Sequence, residues 1–306
     1  MDSVSFGWDQ INSGVASTMP PLSRSSAVEL ANILAGDARL YEPRRLPVGT
    51  DLSEMDLMGL RSQLRAVDDL LPSRAAEHDA VYFAYSAKHL PATVAALKAI
   101  NINTQPRYAA GLVNILAVLP DPKENPYLRT VLASEEARGL GTLITRAWCD
   151  GKIEPLLPSG LGYILTFIIH TLFWSPYQWG DDGKGSIDAA ERARLHEKLQ
   201  PLEDAVPPRS PPATRRGELD TWIEIKRLNG LLQPLEHMEG PPGWYIMHTQ
   251  RHLQGQVTPV DICDVCMDEG EKVARCSRCK AVGYCGAKCQ KKAWKTHKLR
   301  CFTPPL

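Results

Sequence analysis

Residues 263–301 read CDVCMDEGEKVARCSRCKAVGYCGAKCQKKAWKTHKLRC, and this stretch holds seven of the eight cysteines in the 306-residue chain. The spacing is Cys263-x2-Cys266, Cys276-x2-Cys279, Cys285-x3-Cys289 and His297-x3-Cys301. Eight soft donors in four pairs suit zinc, which takes four thiolate or imidazole ligands in a closed tetrahedral structural site. Two ions are therefore expected, one held by four thiolates and the other by three thiolates and an imidazole. A closed site leaves no coordination position for substrate, so the metal is expected to hold a fold together and to do no chemistry. Spacing alone permits two pairings: the first pair with the third and the second with the fourth, or the pairs taken in sequence. Disulfides fit poorly. Seven is odd, residues 1–24 lack the apolar core of a signal peptide, and C-x2-C steps suit a metal better than a cystine.

The run Val282-Gly283-Tyr284-Cys285-Gly286-Ala287-Lys288-Cys289-Gln290, followed by Trp294, His297, Lys298 and Cys301, resembles the MYND-type zinc finger. The resemblance covers residues 263–301, about an eighth of the chain, and all eight ligand positions are filled. RING and PHD fingers also use eight ligands, but they place the histidine earlier and space the pairs differently. The resemblance implies the interleaved pattern, with Cys263, Cys266, Cys285 and Cys289 on the first zinc and Cys276, Cys279, His297 and Cys301 on the second. It also implies a binding role. Such fingers take short proline-rich peptides, often with a Pro-x-Leu core, in a shallow groove beside the second zinc, and the matching residues here are Ser277, Gln290 and Trp294. The physical sense is good: a proline-rich peptide is already extended, so docking costs little entropy, and an aromatic ring offers a flat face to proline. Two positions depart from the family's usual pattern, Ala293 where a polar residue is common and Lys295 where a proline is common. Neither is a ligand; both bear on partner choice.

Charge limits the partners. Residues 261–306 carry ten Lys and Arg against five Asp and Glu, and seven thiolates with two zinc ions bring the formal balance to +2. That is not the dense basic surface that phosphate binding needs, so nucleic acid is not an expected partner. The lysines at 288, 291, 292, 295 and 298 read as a solvated face of a helix over Ala287–His297. The whole chain has no net charge and is 43% apolar, which suits a globular protein with a sizeable core besides the finger. The most apolar run, Leu161–Trp174, is too short for a membrane span and contains His170, expected as a satisfied core histidine. Cys149, beside Trp148, is expected as a small buried hydrophobe. Reduced cysteine use points to cytoplasm or nucleus rather than secretion.

Before the finger, helical signals dominate. Ser26-Ala27-Val28-Glu29 reads as a capping box ahead of Leu30, Ile33 and Leu34, with Gly36 as the stop. Leu57, Leu60, Leu64, Val67 and Leu71 recur at three and four, between Ser53 and Pro72. Further helices are expected at 74–88, 91–100, 106–119, 126–133, 135–149, 160–174, 187–200 and 219–236, with Pro91 and Pro106 in first turns. The expected fold is mainly α: a flexible N-terminus (1–24), a helical body (25–205), a proline-rich linker (206–217), a helical connector (218–260) and the two-zinc finger (261–302). No repeat is clear enough to separate an α-solenoid from a bundle.

Weaker signals complete the reading. Gly180–Glu191 resembles a calcium loop, but Gly180 and Lys184 stand where carboxylates are needed, and a turn capped by Ser186 or Asp188 is the better account. Met19-Pro20-Pro21-Leu22 and Pro304-Pro305-Leu306 resemble the finger's own ligands, so self-docking enters as an expectation to examine. No phosphate loop, dinucleotide fingerprint or nucleophile elbow is present. The expected function is a non-enzymatic adaptor that binds proline-rich protein segments. The rivals are a relative of SET-type protein-lysine methyltransferases and a subunit of a transcriptional or ubiquitin-ligase assembly. In the first, the finger is inserted within the catalytic domain; here only five residues follow it, and the preceding 260 read as helices rather than short strands.

Overall fold

The computed structural model describes residues 22–69, 75–153, 161–176, 187–205, 216–232, 244–269 and 272–304. Among these are eleven α-helices and a single two-stranded sheet. Helix α1 (Arg24–Asp37) starts earlier than the capping-box reading places it. Ser23 is the cap, its Oγ accepting the Ser26 N–H at 3.0 Å, and Ser26 lies buried inside the first turn. The earlier start brings Ala27, Leu30, Ala31, Leu34 and Ala35 onto one buried face.

Helix α2 (Glu54–Asp69) lies on α4 (Pro106–Ala117), where Gly111 faces Leu52, Leu57 and Leu60. Pro106 opens α4 as expected. Helix α3 (Ala75–Ala99) merges the two helices expected at 74–88 and 91–100, with Pro91 inside it. An internal proline loses a hydrogen bond and costs about 3 kcal/mol. Burial outweighs that: Val81, Ala84, Ala87 and Leu90 before Pro91, and Val94 and Leu97 after it, all enter the same core. Thr93 Oγ1 also donates to the His89 carbonyl at 2.9 Å, in the turn beside the proline.

Helix α5 (Pro126–Leu132) is capped by Asn125, and a 3-10 turn (Glu135–Ala137) leads to α6 (Leu140–Cys149). The expected continuous helix over 135–149 breaks at Gly139, whose φ of 78° lies in the left-handed region. Helix α7 (Leu161–Trp174) is nearly all buried and is crossed by α9 (Arg216–Leu232), which also packs on α8 (Ala189–Asp204). The crossing is tight: a Cβ on Gly162 would stand 3.0 Å from Thr221 Cα. Helix α10 (Trp244–Gly255) closes the end of α7, with Gln250 Nε2 donating to the Ser175 carbonyl. No helix among the described residues is long and apolar enough to cross a membrane.

Helices not adjacent in sequence pack directly, α1 on α3, α3 on α5 and α4 on α7, and one buried cluster runs from Ala27 to Phe302. These contacts join α-helices no more than three helices apart in the chain, and they build one continuous core. His170 is buried, with Nε2 3.4 Å from Asp121 Oδ2. Cys149 is half-buried and its thiol is pushed up by burial. Of the calcium-like loop, residues 180–186 lie outside the described residues. Glu191 lies within them, and its two oxygens face Arg146 Nε at 2.7 Å and Arg194 Nη1 at 3.0 Å. A carboxylate engaged by two arginines is poorly placed for a cation. Asp188 occupies the N-cap position of α8, though its side chain makes no capping bond. Residues 1–21, 206–215 and 305–306, which include most of the N-terminal segment and proline-rich linker, lie outside the described residues.

His89 sits in a closed polar contact. Its Nε2 faces Asn32 Oδ1 at 3.0 Å and its Nδ1 faces Tyr41 Oη at 3.1 Å, so the neutral ring is satisfied on both sides. Burial, with Lys88 beside it, lowers its pKa to about 4, below the value of about 6.5 in an unfolded chain. The unfolded state then binds the extra proton between those values, so this contribution to stability is complete above about pH 6.5 and is lost as pH falls towards 4. The urea midpoint at pH 5 relative to pH 7 should fall more in the native chain than in His89→Gln; equal slopes would contradict the assignment. At the α7–α9 crossing, Gly162→Ala should cost about 1–3 kcal/mol by overpacking, read as a lower urea midpoint with unchanged slope.

Candidate metal centre

The finger begins with two turns of the same build. Met267 N–H donates to the Cys263 carbonyl at 2.9 Å, and Lys280 N–H donates to the Cys276 carbonyl at 3.0 Å. Met267 and Lys280 have φ of 58° and 59°. Each C-x2-C step therefore closes as a tight loop with the following residue left-handed, and both thiols of a pair turn to the same side. Strands β1 (Ala274–Arg275) and β2 (Gly283–Tyr284) pair antiparallel, Ala274 opposite Tyr284 and Arg275 opposite Gly283. The other side of β2 meets the first loop, where Asp264 N–H donates to the Gly283 carbonyl at 3.0 Å. Gly283 has no room for a side chain: a Cβ there would overlap the Val260 carbonyl oxygen and lie 3.0 Å from that of Ile262.

Helix α11 (Ala287–His297) carries Cys289 near its start and His297 at its end. Eight residues of helix separate them by about 12 Å, so they cannot serve one ion. Cys289 joins Cys263, Cys266 and Cys285, while His297 joins Cys276, Cys279 and Cys301; in each group all four donor atoms lie within 4.8 Å of one another. Around a zinc with bonds of about 2.3 Å to sulfur, tetrahedral thiolates stand about 3.8 Å apart. The observed separations are 3.5 Å for Cys266–Cys285 and Cys285–Cys289, 3.9 Å for Cys289–Cys266 and 3.7 Å for Cys276–Cys301. Cys279 Sγ lies 3.6 Å from His297 Nε2. The electrostatics agree. The Cys279 thiol is lowered, first by its contact with Cys301, while Cys301 is pushed up by the same contact. Thiolates this close repel unless a cation sits among them. Donor chemistry and spacing thus fit two structural zinc ions.

The two clusters differ in exposure. Cys266 is exposed and Cys285 and Cys289 are half-buried, whereas Cys276, Cys279, His297 and Cys301 are all buried. The difference comes from the helical body. Phe302, one residue past the last ligand, is buried, and its N–H donates to Tyr127 Oη on α5 at 2.8 Å. The tyrosine hydroxyl faces the carbonyls of Arg300 and Phe302 at 2.9 and 2.8 Å, and the Arg24 guanidinium lies over the Phe302 ring. Burial pushes the Tyr127 phenol above its ordinary pKa and keeps it protonated. Alongside this contact, Lys123, Arg129, Val257, Cys279, His297 and Arg300 help to line a cleft of about 240 Å³. Tyr127 and Phe302 were not identifiable in the sequence as site residues; an apolar residue directly after the last ligand is the only signal of such an anchor.

The three residues assigned to peptide binding surround the second cluster. Ser277 is exposed, just past β1. Gln290 and Trp294 are one turn apart on α11, with Gln290 Nε2 4.0 Å from Cys276 Sγ and the Trp294 ring 5.9 Å from that of His297. Leu22, the last residue of the N-terminal Pro-Pro-Leu segment, packs against the buried core, while the rest of that segment and Pro305-Leu306 lie outside the described residues.

Comparison with known proteins agrees with this geometry. Residues 263–301 match the family model of the MYND finger. Human histone-lysine N-methyltransferase SMYD3 is 55% identical over 40 residues, 13% of this chain and 9% of that protein. The N-lysine methyltransferase SMYD2-B of Danio rerio is 48% identical over 40 residues, again 13% and 9%. A SET and MYND domain-containing protein of Dictyostelium discoideum is 38% identical over 65 residues, 19% of this chain and 12% of its own. The chain thus spans about a tenth of the length of the curated relatives it matches, and the likeness is to their fingers. No solved structure matches the chain.

A chelator added in excess should remove zinc in two phases of one ion each, the exposed first cluster before the second, followed by absorbance of a chromophoric chelator. Tyr127→Phe removes the acceptor of the Phe302 N–H and the one donor shared by the Arg300 and Phe302 carbonyls, at a cost of about 1–3 kcal/mol. It should hasten only the second phase. A single phase, or faster loss of the first ion alone, would contradict the picture.

Proposed function

We propose that the finger docks extended, proline-rich segments of partner proteins across Ser277, Gln290 and Trp294, and that the chain is a non-enzymatic adaptor. The observation that carries this reading is Trp294, a large ring left 40% exposed beside the buried second cluster. A tryptophan that served only to cover the metal would turn its face inward; this one offers a flat apolar surface to solvent next to two hydrogen-bonding side chains. The neighbouring strand β1 is exposed and, among the described residues, pairs only with β2. Its outer edge suits an extended peptide that adds a strand, with main-chain hydrogen bonds for affinity and Trp294 for selectivity. The helical body would add a second surface, and two surfaces on one chain raise effective concentration.

Closed four-donor sets support a structural role for the metal, since neither keeps an open position for substrate. The relatives' names describe methyltransferases, but the match is confined to the finger, so their activity is not carried over. Seven thiolates kept as metal ligands suit a reducing compartment, cytoplasm or nucleus.

Titration of the full chain with a Pro-Pro-x-Leu peptide tests the reading. Trp294→Ala should weaken binding tenfold or more, about 1.4 kcal/mol, while both zinc ions remain. Unchanged affinity in a variant that keeps two zinc ions would defeat it.

A further inference from the structure

The finger's charges are segregated. Its five acidic residues, Asp261, Asp264, Asp268, Glu269 and Glu271, precede all ten of its basic ones, which begin at Lys272. Five lysines then gather around α11: Lys288, Lys291, Lys292 and Lys295 on the helix and Lys298 just past it. At about 100° per residue these positions fall on one broad face, away from Cys289, Ala293 and His297, and all five are exposed. None has an ion-pair partner among the described residues, and α11 contains no acidic residue. Trp294 stands at the border of this face, within a turn of Lys291, Lys295 and Lys298.

The helix gains little stability from such a face. Like charges three and four apart on a helix destabilise it by tenths of a kcal/mol each, and Lys288 puts a cation in the first turn, where the helix dipole disfavours it. Lys295 in the last turn and Lys298 at the C-cap stand where the dipole favours a cation, but the other three do not. A row of uncompensated cations that runs against helix stability and borders the exposed tryptophan has the character of a binding surface.

We propose that the lysine face of α11 selects proline-rich segments whose flanks carry acidic residues. The inference rests on the docking role proposed for Trp294 and names the chemistry of the ligand. The dimensions fit. From Lys288 to Lys298 the helix runs about 15 Å, which about five residues of extended chain would cover, so two or three flanking carboxylates can lie opposite the lysines. A nucleic acid fits less well. Duplex DNA presents one charge per about 1.7 Å of axis and demands a wide basic surface, whereas the acidic run 261–271 shares this small module and would repel it.

The test uses the full zinc-loaded chain and a Pro-Pro-x-Leu peptide in two forms, with Glu flanks and with Gln flanks, beside a 20-base-pair DNA duplex as competitor. The Glu-flanked peptide should bind at least tenfold tighter at low salt, and the advantage should shrink as salt rises. In the triple variant Lys291→Gln, Lys295→Gln, Lys298→Gln the advantage should vanish, while the Gln-flanked peptide binds native and variant chains alike and both zinc ions remain. Equal affinity for the two peptides, with binding still dependent on Trp294, would overturn this inference and leave the docking site standing. Displacement of the Glu-flanked peptide by equimolar duplex would overturn it in favour of nucleic acid. Absence of any Trp294-dependent binding would remove both readings together.

Discussion

Tyr127 Oη receives the Phe302 N–H and faces the carbonyls of Arg300 and Phe302, so one phenolic oxygen on α5 holds the strand of backbone that carries the last zinc ligand, Cys301. The hydroxyl accepts the Phe302 N–H and shares its single proton between the two carbonyls, so main-chain polar groups near the last ligand find their partner at one point. The Phe302 ring adds apolar area to the body's core, and Arg24 of α1 covers it. This contact ties the segment carrying the last ligand of the buried second cluster to the helical body.

Within the finger the governing constraint is the length of α11. A chain this short has little apolar core of its own, so metal ligation supplies the folding energy. The helix spans both clusters and gives one ligand to each, which couples the two loops into a single unit. Gly283 is fixed by the same geometry: three segments converge on β2, and a carbonyl occupies the place of a side chain. The ligands and this glycine are committed to architecture, whereas Ser277, Trp294 and the lysines of α11 are exposed and bind no metal in this arrangement.

The helical body shows where local signals are overruled. Pro91 reads as the start of a helix because proline suits a first turn, yet it lies within α3 because apolar residues on both sides of it enter one core. The cap of α1 moved from Ser26 to Ser23, since the earlier start places Ser26 and Ala27 on the buried face. Gly139 did the reverse: its left-handed backbone split a stretch whose composition reads as continuous helix. At Pro91 and Ser26 the packing of several residues outweighs a local preference of about 1–3 kcal/mol, whereas at Gly139 the local backbone conformation prevails.

From the sequence alone came the zinc donors, their number and the helical class of the body. These follow from residue type and short spacing, which chemistry and helix periodicity constrain directly. Spacing left the pairing of the donors open, and it was the 12 Å reach of α11, about two turns, that separated Cys289 from His297. Only the tertiary structure revealed the joint between Tyr127 and Phe302, residues 175 positions apart. It also revealed the unequal burial of the two clusters. Those features depend on which distant surfaces meet, and contacts of that kind leave no period or motif in the chain, because a single hydroxyl and a single ring are enough to make them.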